Sequence, residues 1–249
     1  MKALITGAST GIGREMAKNL HQRGAELILV ARSEQRLNTL KAELGGKPEV
    51  IPLDLSKPEN CTRLFELTKG EKIDILINNA GFGTLGEFTE IPLETELNMI
   101  DLNITALHIL TKLFLEDFEK RDSGYILNVA SIAGFLSGPL MATYYATKGY
   151  VLKLSLALSE ELRQKGSRVS VSVLCPGPVA TEFDSRAGVK SSLSGLSAKY
   201  VADYGIKRMF KRKTVIVPGF STRAGVFFQR FVPQKLLLRI CYKTQNKKR

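Results

Sequence analysis

Histidine, cysteine and long apolar runs are all scarce in this chain of 249 residues. His21 and His108 are its only histidines and neither falls in a ligand cluster, so neither a zinc centre nor a Ser-His-acid nucleophile can be assembled from them. Cys61, Cys175 and Cys241 are odd in number and lack metal-ligand spacing. That argues against a disulfide framework and against any metal, and it points to a reducing, cytoplasmic compartment. No stretch approaches the ~18 uninterrupted apolar residues needed to cross a bilayer, and Ala3, Leu4 and Ile5 lead into turn residues rather than a signal-peptide core. No export and no spanning helix are expected. Repeats, low-complexity tracts and proline-rich linkers are absent too, so one domain over 1–249 is expected.

Acidic residues are missing from one region only. Lys and Arg total 36 against 24 Asp and Glu, but Asp203 is the last acidic residue and 13 of the cations follow it. The body is near neutral and the tail is basic. A basic C-terminal extension from about 220–249 is therefore set apart from an ordinary globular body, and the charge by itself does not call for nucleic acid, for which no stacking motif or known module is present.

What is present is an alternation of short apolar runs with amphipathic stretches. Strand candidates are Lys2 to Thr6, Glu26 to Ala31, Val50 to Leu53, Ile73 to Ile77, Tyr125 to Val129, Val169 to Leu174 and Thr214 to Val217. Helical stretches run from Gly11–Gly13 to Gly24, from Ser33 to Leu44, from Pro92 to Arg121, from Tyr144 to Lys165 and from Ala198 to Lys211. Strands apolar on both faces and separated by crossover-length helices predict an α/β fold with a parallel sheet of about seven strands, helices on both faces.

After the first strand comes Thr6-Gly7-Ala8-Ser9-Thr10-Gly11-Ile12-Gly13, then helix. Glycines there permit a tight turn and close backbone approach, while the free amides of a helix N-terminus favour a pyrophosphate. Near the end of the second strand, where a carboxylate would hold the ribose hydroxyls of NAD, the sequence reads Ala31-Arg32-Ser33. Arg32 can instead pair with a 2′-phosphate, which favours NADP over NAD. Tyr144 and Lys148 are four apart at the start of a helix and share a face, so the ammonium favours the phenolate.

The glycine spacing resembles the short-chain dehydrogenase/reductase family, and other elements follow in that family's order from Lys2 to about Phe183. Asn78-Asn79-Ala80-Gly81 follows the fourth strand candidate, Asp54 the third, and Asn128-Val129-Ala130-Ser131 the fifth. Ser131 lies thirteen residues before Tyr144, and Pro176-Gly177 with Thr181 resembles the segment around the nicotinamide. The resemblance implies a Rossmann-like doubly wound sheet. It implies that Gly7, Ser9, Thr10, Gly11, Ile12, Gly13, Arg32, Asp54, Asn79, Ala80, Gly81, Pro176, Gly177 and Thr181, with Tyr144 and Lys148, bind the cofactor. It also implies that Tyr144 exchanges the hydroxyl proton, Lys148 lowers its pKa and holds the nicotinamide ribose, Ser131 holds the substrate oxygen and Asn103 anchors a relay water. Tyr145 breaks the thirteen-residue separation from Ser131 and is only three residues from Lys148, so Tyr144 is chosen.

The activity so implied is NADP(H)-dependent interconversion of a carbonyl and an alcohol. Phe82, Leu136, Met141 and Phe183 as pocket walls favour a lipophilic or acyl substrate, under a lid over about 182–197. A non-catalytic nucleotide-binding scaffold acting through the basic tail is the alternative. A homo-oligomer, dimer or tetramer, is expected through the Pro92–Arg121 and Tyr144–Lys165 helices, with Leu107, Leu110, Leu113, Phe114, Leu154 and Leu158 available for core or interface. The tail combines apolar and basic residues and is expected to contact a membrane peripherally, or an acidic acyl carrier, with Pro233 interrupting any single helix.

Overall fold

Alternation along the first strand decides how the layers assemble. In the computed structural model, which describes residues 1–183, 187–189 and 195–248, β1 (Lys2–Thr6) sends Ala3 and Ile5 to one face and Leu4 to the other. Ala3 and Ile5 pack with Met16, Ala17 and Leu20 of α1 (Gly11–Gln22). They also share a core with Leu37 and Leu40 of α2 (Glu34–Glu43) and with Val201, Ala202 and Ile206 of α7 (Ala198–Met209). Leu4 packs with Cys61 and Leu64 of α3 (Pro58–Thr68) and with Leu110, Phe114 and Phe118 of α5 (Leu107–Lys120). Both faces of the sheet are thus covered, which is why its strands are largely apolar on both sides.

The remaining strands are β2 (Glu26–Ala31), β3 (Glu49–Pro52), β4 (Ile75–Asn78), β5 (Gly124–Val129), β6 (Val169–Leu174) and β9 (Val215–Ile216). They form one seven-stranded sheet in the order β3-β2-β1-β4-β5-β6-β9, every pair parallel. All seven expected strands are present within about two residues of their expected ends. The order reverses between β1 and β4, and this switch point opens the crevice beyond their C-terminal ends where ligands of such sheets bind.

Two helical regions depart from the sequence expectation. The region expected as one helix from Pro92 is α4 (Leu93–Ile100), a π-helical segment (Asp101–Ala106) and α5, run together. Asn103 sits in that wide turn. Helix α3 was not expected from the sequence, although Pro58 at its first position and the spacing of Cys61, Leu64, Phe65 and Thr68 signal it. Helix α6 (Ala142–Gln164) carries Tyr144 and Lys148. A second small sheet, β7 (Val179–Ala180) with β8 (Leu196–Ser197), brackets the segment expected as a lid, whose residues 184–186 and 190–194 lie outside the described residues. The tail forms α8 (Phe220–Phe228), a short 3-10 turn and α9 (Gln234–Asn246), with the break at Pro233. No helix among the described residues is long and apolar enough to cross a membrane.

Candidate active site

The crevice at the switch point is a cavity of about 730 Å³ whose floor is made by the strand ends and whose walls come from the surrounding helices and loops. One end is a glycine-rich cradle at the start of α1. Thr10 is the extended N-cap residue of α1, and Gly11 and Ile12 face the cavity at a helix start whose first amides have no intrahelical acceptor. The turn leading there is fixed from the neighbouring strand. Thr6 Oγ1 accepts from the amides of Asn79 and Ala80 at 3.0 and 3.1 Å, and the Asn79 side-chain amide donates to the carbonyls of Thr6 and Gly7, each at 3.1 Å.

Gly7 has φ +63, and a Cβ there would lie 2.8 Å from Asn79 Nδ2. A Cβ on Gly13 would meet the Gly7 carbonyl oxygen at 2.5 Å, so this glycine serves packing behind the turn rather than the cavity wall. The fit is to an anionic group: a glycine-rich turn at the positive end of a helix.

At the outer end of this cradle lie Arg32, Ser33 and Arg36, after β2. Ser33 caps α2, its hydroxyl accepting from the Arg36 amide at 3.3 Å. Arg36, not anticipated from the sequence, reaches Glu182 with a 2.8 Å bond across the crevice. Its position one turn into a helix after the second strand was the available signal. Asp54 lines the cavity with its carboxylate accepting from the amide and hydroxyl of Ser56 at 3.1 and 2.9 Å. Asn79, Ala80, Gly81, Pro176, Gly177 and Thr181 complete this half.

In the other half Ser131, Tyr144 and Lys148 share the same chamber. Lys148 is buried, its ammonium donating to the Val129 carbonyl at 2.9 Å and lying 5.9 Å from the centre of the Tyr144 ring. Burial pulls its pKa from 10.5 down to about 8, opposed weakly by Cys175. The Cys175 thiol in turn is pushed up to about 12 by desolvation, with Lys148 acting the other way. Ser131 is the N-cap of a 3-10 turn, its hydroxyl oxygen accepting from the Ala133 amide at 3.2 Å while its O–H donates to the Pro176 carbonyl at 3.4 Å. The Phe183 ring lies 5.4 Å from that of Tyr144.

Asn103 stands behind this chamber rather than in its wall. Its carboxamide accepts from the Phe82 amide at 3.1 Å and donates to the Phe82 carbonyl at 2.9 Å and to Thr147 Oγ1 at 3.1 Å. The side chain is therefore occupied in fixing the loop after Gly81. Asn78 and Asn128, both in motifs read from the sequence, also turn inward. Asn78 donates to Asn128 at 2.9 Å and Thr111 at 3.0 Å, and Asn128 donates to Ser155 at 3.0 Å, tying β4 and β5 to α5 and α6.

Of the expected apolar walls, Phe82, Met141 and Phe183 line the cavity. Leu136 does not; it closes the 3-10 turn after Ser131, outside the chamber's lining. Tyr145 does line it, yet its environment differs from that of Tyr144. Its hydroxyl accepts from Gln245 Nε2 at 2.6 Å and from Cys241 at 3.7 Å, and burial raises its pKa further above the ordinary phenol range. Gln245, Thr244 and Lys248 of the C-terminal segment thus wall the chamber, which no local sequence pattern announced. Leu107, Leu110 and Phe114 are buried in the core, whereas Leu113, Leu154 and Leu158 are partly exposed.

A parallel doubly wound sheet with a glycine-rich turn at a helix N-terminus, and Ser131, Tyr144 and Lys148 in one chamber, is an architecture of nucleotide-dependent oxidoreductases. The chain belongs to the short chain dehydrogenase family, whose sequence description it matches over residues 1–191. It is 32% identical over 199 residues, 77% of this chain and 81% of the relative, to 3-oxoacyl-(acyl-carrier-protein) reductase FabG of Haemophilus influenzae. A short-chain dehydrogenase from Sphingobium yanoikuyae in complex with NADPH superposes with a TM-score of 0.84 at 33% identity, covering 94% of each chain. A family member from Burkholderia phymatum in complex with NAD gives 0.83 at 27% identity, covering 92% of each. The fold therefore accommodates either nicotinamide cofactor.

Proposed function

We propose that the protein is an NADP(H)-dependent reductase of a lipophilic carbonyl, most simply a 3-oxoacyl thioester or a ketone of similar polarity. The observation that carries this reading is the single chamber that joins the anion cradle of α1 to Tyr144, Lys148 and Ser131. The nicotinamide supplies the hydride when bound. Everything else falls to the chain. Gly7, Ser9, Thr10, Gly11 and Ile12 would hold the pyrophosphate at the helix N-terminus, with Asn79, Ala80 and Gly81 closing the cradle from β4. Asp54 would face the adenine, and Pro176, Gly177 and Thr181, which line the same cavity, would border the nicotinamide end. Arg32 gives the outer end a cation that favours a 2′-phosphate, while the neighbouring Arg36 is paired with Glu182.

Tyr144 gives its hydroxyl proton to the substrate oxygen as hydride arrives at carbon, and the Ser131 hydroxyl donates a hydrogen bond to the same oxygen. The Lys148 ammonium, held by Val129, lowers the cost of the phenolate left on Tyr144 and lies where it can hold the nicotinamide ribose. Asn103 is a positioning residue for the Phe82 loop and supports the relay from behind. Phe82, Met141 and Phe183 exclude water and accept an apolar substituent. The relative that reduces 3-oxoacyl groups supports the acyl assignment.

The reading includes one domain with a basic extension from about 220, a cytoplasmic location, and a dimer or tetramer paired through α5 and α6. Sedimentation as a monomer at micromolar concentration would remove the last element. The decisive test of the activity is loss of NADPH absorbance with a panel of aldehydes, ketones and 3-oxoacyl thioesters. Tight NADP binding with no turnover on any of them would replace the enzyme by a nucleotide-binding scaffold acting through its tail.

A further inference from the structure

Helix α9 has two faces of different character. Leu237, Leu238, Cys241, Gln245 and Lys248 turn inward or are half-buried, and Gln245 is only 4% exposed with its Nε2 on Tyr145. The other face leaves Leu236 and Ile240 about half exposed beside Arg239, Lys243 and Lys247. The segment just before it is more unusual. Phe220, Phe228 and Phe231 are 81%, 61% and 70% exposed, and Phe227 is half exposed. Phe227 contacts both Phe228 and Phe231, with ring centres 5.2 and 5.7 Å apart. Arg230 lies over the Phe227 ring at 5.1 Å and Arg223 over Phe220 at 5.9 Å.

Clustered exposed aromatics are costly in water, and a soluble surface rarely keeps them without a use. We propose that α8, the 3-10 turn and the outer face of α9 dock the protein on an anionic lipid surface. The aromatic rings enter at the headgroup boundary and the surrounding cations meet the lipid phosphates.

Charge selects this occupant. No carboxylate side chain follows Asp203 in the sequence, so a second copy placed face to face would oppose cations to cations. An anionic bilayer complements both the charge and the apolar area, and it needs no groove to receive the rings. The same helix walls the substrate chamber through Thr244 and Gln245, joined by Lys248 just after its end. Docking therefore sets the chamber wall against the bilayer, which suits a substrate that partitions into lipid; this second step rests on the lipophilic-substrate reading, whereas the docking itself does not.

The test is co-sedimentation of the full chain with vesicles of phosphatidylcholine alone or mixed equally with phosphatidylglycerol, over a salt series. Binding is expected to the anionic vesicles, to weaken steadily with salt, and to be at least about tenfold weaker on neutral ones. The triple variant Phe227→Ser, Phe228→Ser, Phe231→Ser should lose most binding while its unfolding midpoint stays near that of the parent, since the rings are largely exposed. The charge reversal Arg230→Glu with Arg239→Glu and Lys243→Glu should lose the salt-sensitive part. No binding to anionic vesicles at low salt overturns the proposal, as does binding that the Phe variant leaves intact. A concentration-dependent dimer abolished by the Phe variant, or capture of an acidic acyl carrier protein in place of vesicles, would overturn it in favour of those partners. Vesicle binding is read without turnover, so its failure is distinct from failure of the reductase reading. If binding holds, turnover of a long-chain substrate presented in anionic vesicles should exceed that of the Phe variant, with NADPH binding equal in the two.

Discussion

Lys148 gives a prediction with a sign. Its ammonium is buried, and desolvation lowers its pKa from 10.5 to about 8. The charged form is thus disfavoured in the folded state, and the unfolded chain binds the extra proton at every pH between those two values. Stability must then be lowest, as far as this group is concerned, below pH 8 and must rise as pH climbs toward 10.5. A difference of that size corresponds to about 3 kcal/mol at ~1.4 kcal/mol per pH unit. Lys148→Met keeps much of the stem's volume and removes the titration. It also strands the Val129 carbonyl, at a pH-independent cost of ~1–3 kcal/mol, so the slope and not the offset is diagnostic.

Urea unfolding of parent and variant at half-unit steps from pH 7 to pH 10.5 should show the parent gaining on the variant by about 3 kcal/mol across the range. Cys175 works in the opposite direction, because its raised pKa means that stability is lost as the unfolded thiol ionises above its ordinary value of 9.0. That background is common to both proteins to first order and cancels in the difference. A flat difference between parent and variant would refute the claim that the buried amine bears a desolvation cost in the free protein.

Tyr144→Phe should reduce turnover about a hundredfold to ten-thousandfold with little change in unfolding midpoint, whereas Tyr145→Phe should retain most turnover; the reverse pattern in steady-state kinetics would exchange their roles. Arg32→Asp should cut the NADPH-over-NADH ratio of kcat/KM by about tenfold or more, and an unchanged ratio would remove Arg32 from cofactor choice. Asn128→Ala breaks the bonds to Asn78 and Ser155 and leaves buried polar groups unpaired, so the urea unfolding free energy should fall by about 2–4 kcal/mol. A loss below about 0.5 kcal/mol would show that the network relaxes around the gap.

The sequence alone determined the layered sheet and much of the chamber, because those features are encoded by short-range rules. Apolar runs on strands such as Lys2–Thr6 report burial on both faces directly. The glycines after β1 report a turn that tolerates no side chain, and the four-residue spacing of Tyr144 and Lys148 on α6 reports a shared face. Helix α3 was legible in principle from Pro58 and its apolar spacing, but the polar residues between them masked it.

What the sequence could not decide is which side chains are consumed by distant partners. Asn103 read as a site residue and Asn78 opened a motif of site residues, yet their amides are bound to Phe82, Thr147, Asn128 and Thr111. Tyr145 meets Gln245 across 100 residues of chain, and Arg36 meets Glu182 across 146. Such contacts depend on how whole elements are brought together by the core, and no local pattern carries them. The tail shows the same division. Its composition declared an amphipathic cation-rich segment, but only the packing of α9 on the chamber decided that Gln245 and Lys248 face inward while Leu236 and Ile240 remain half exposed to solvent.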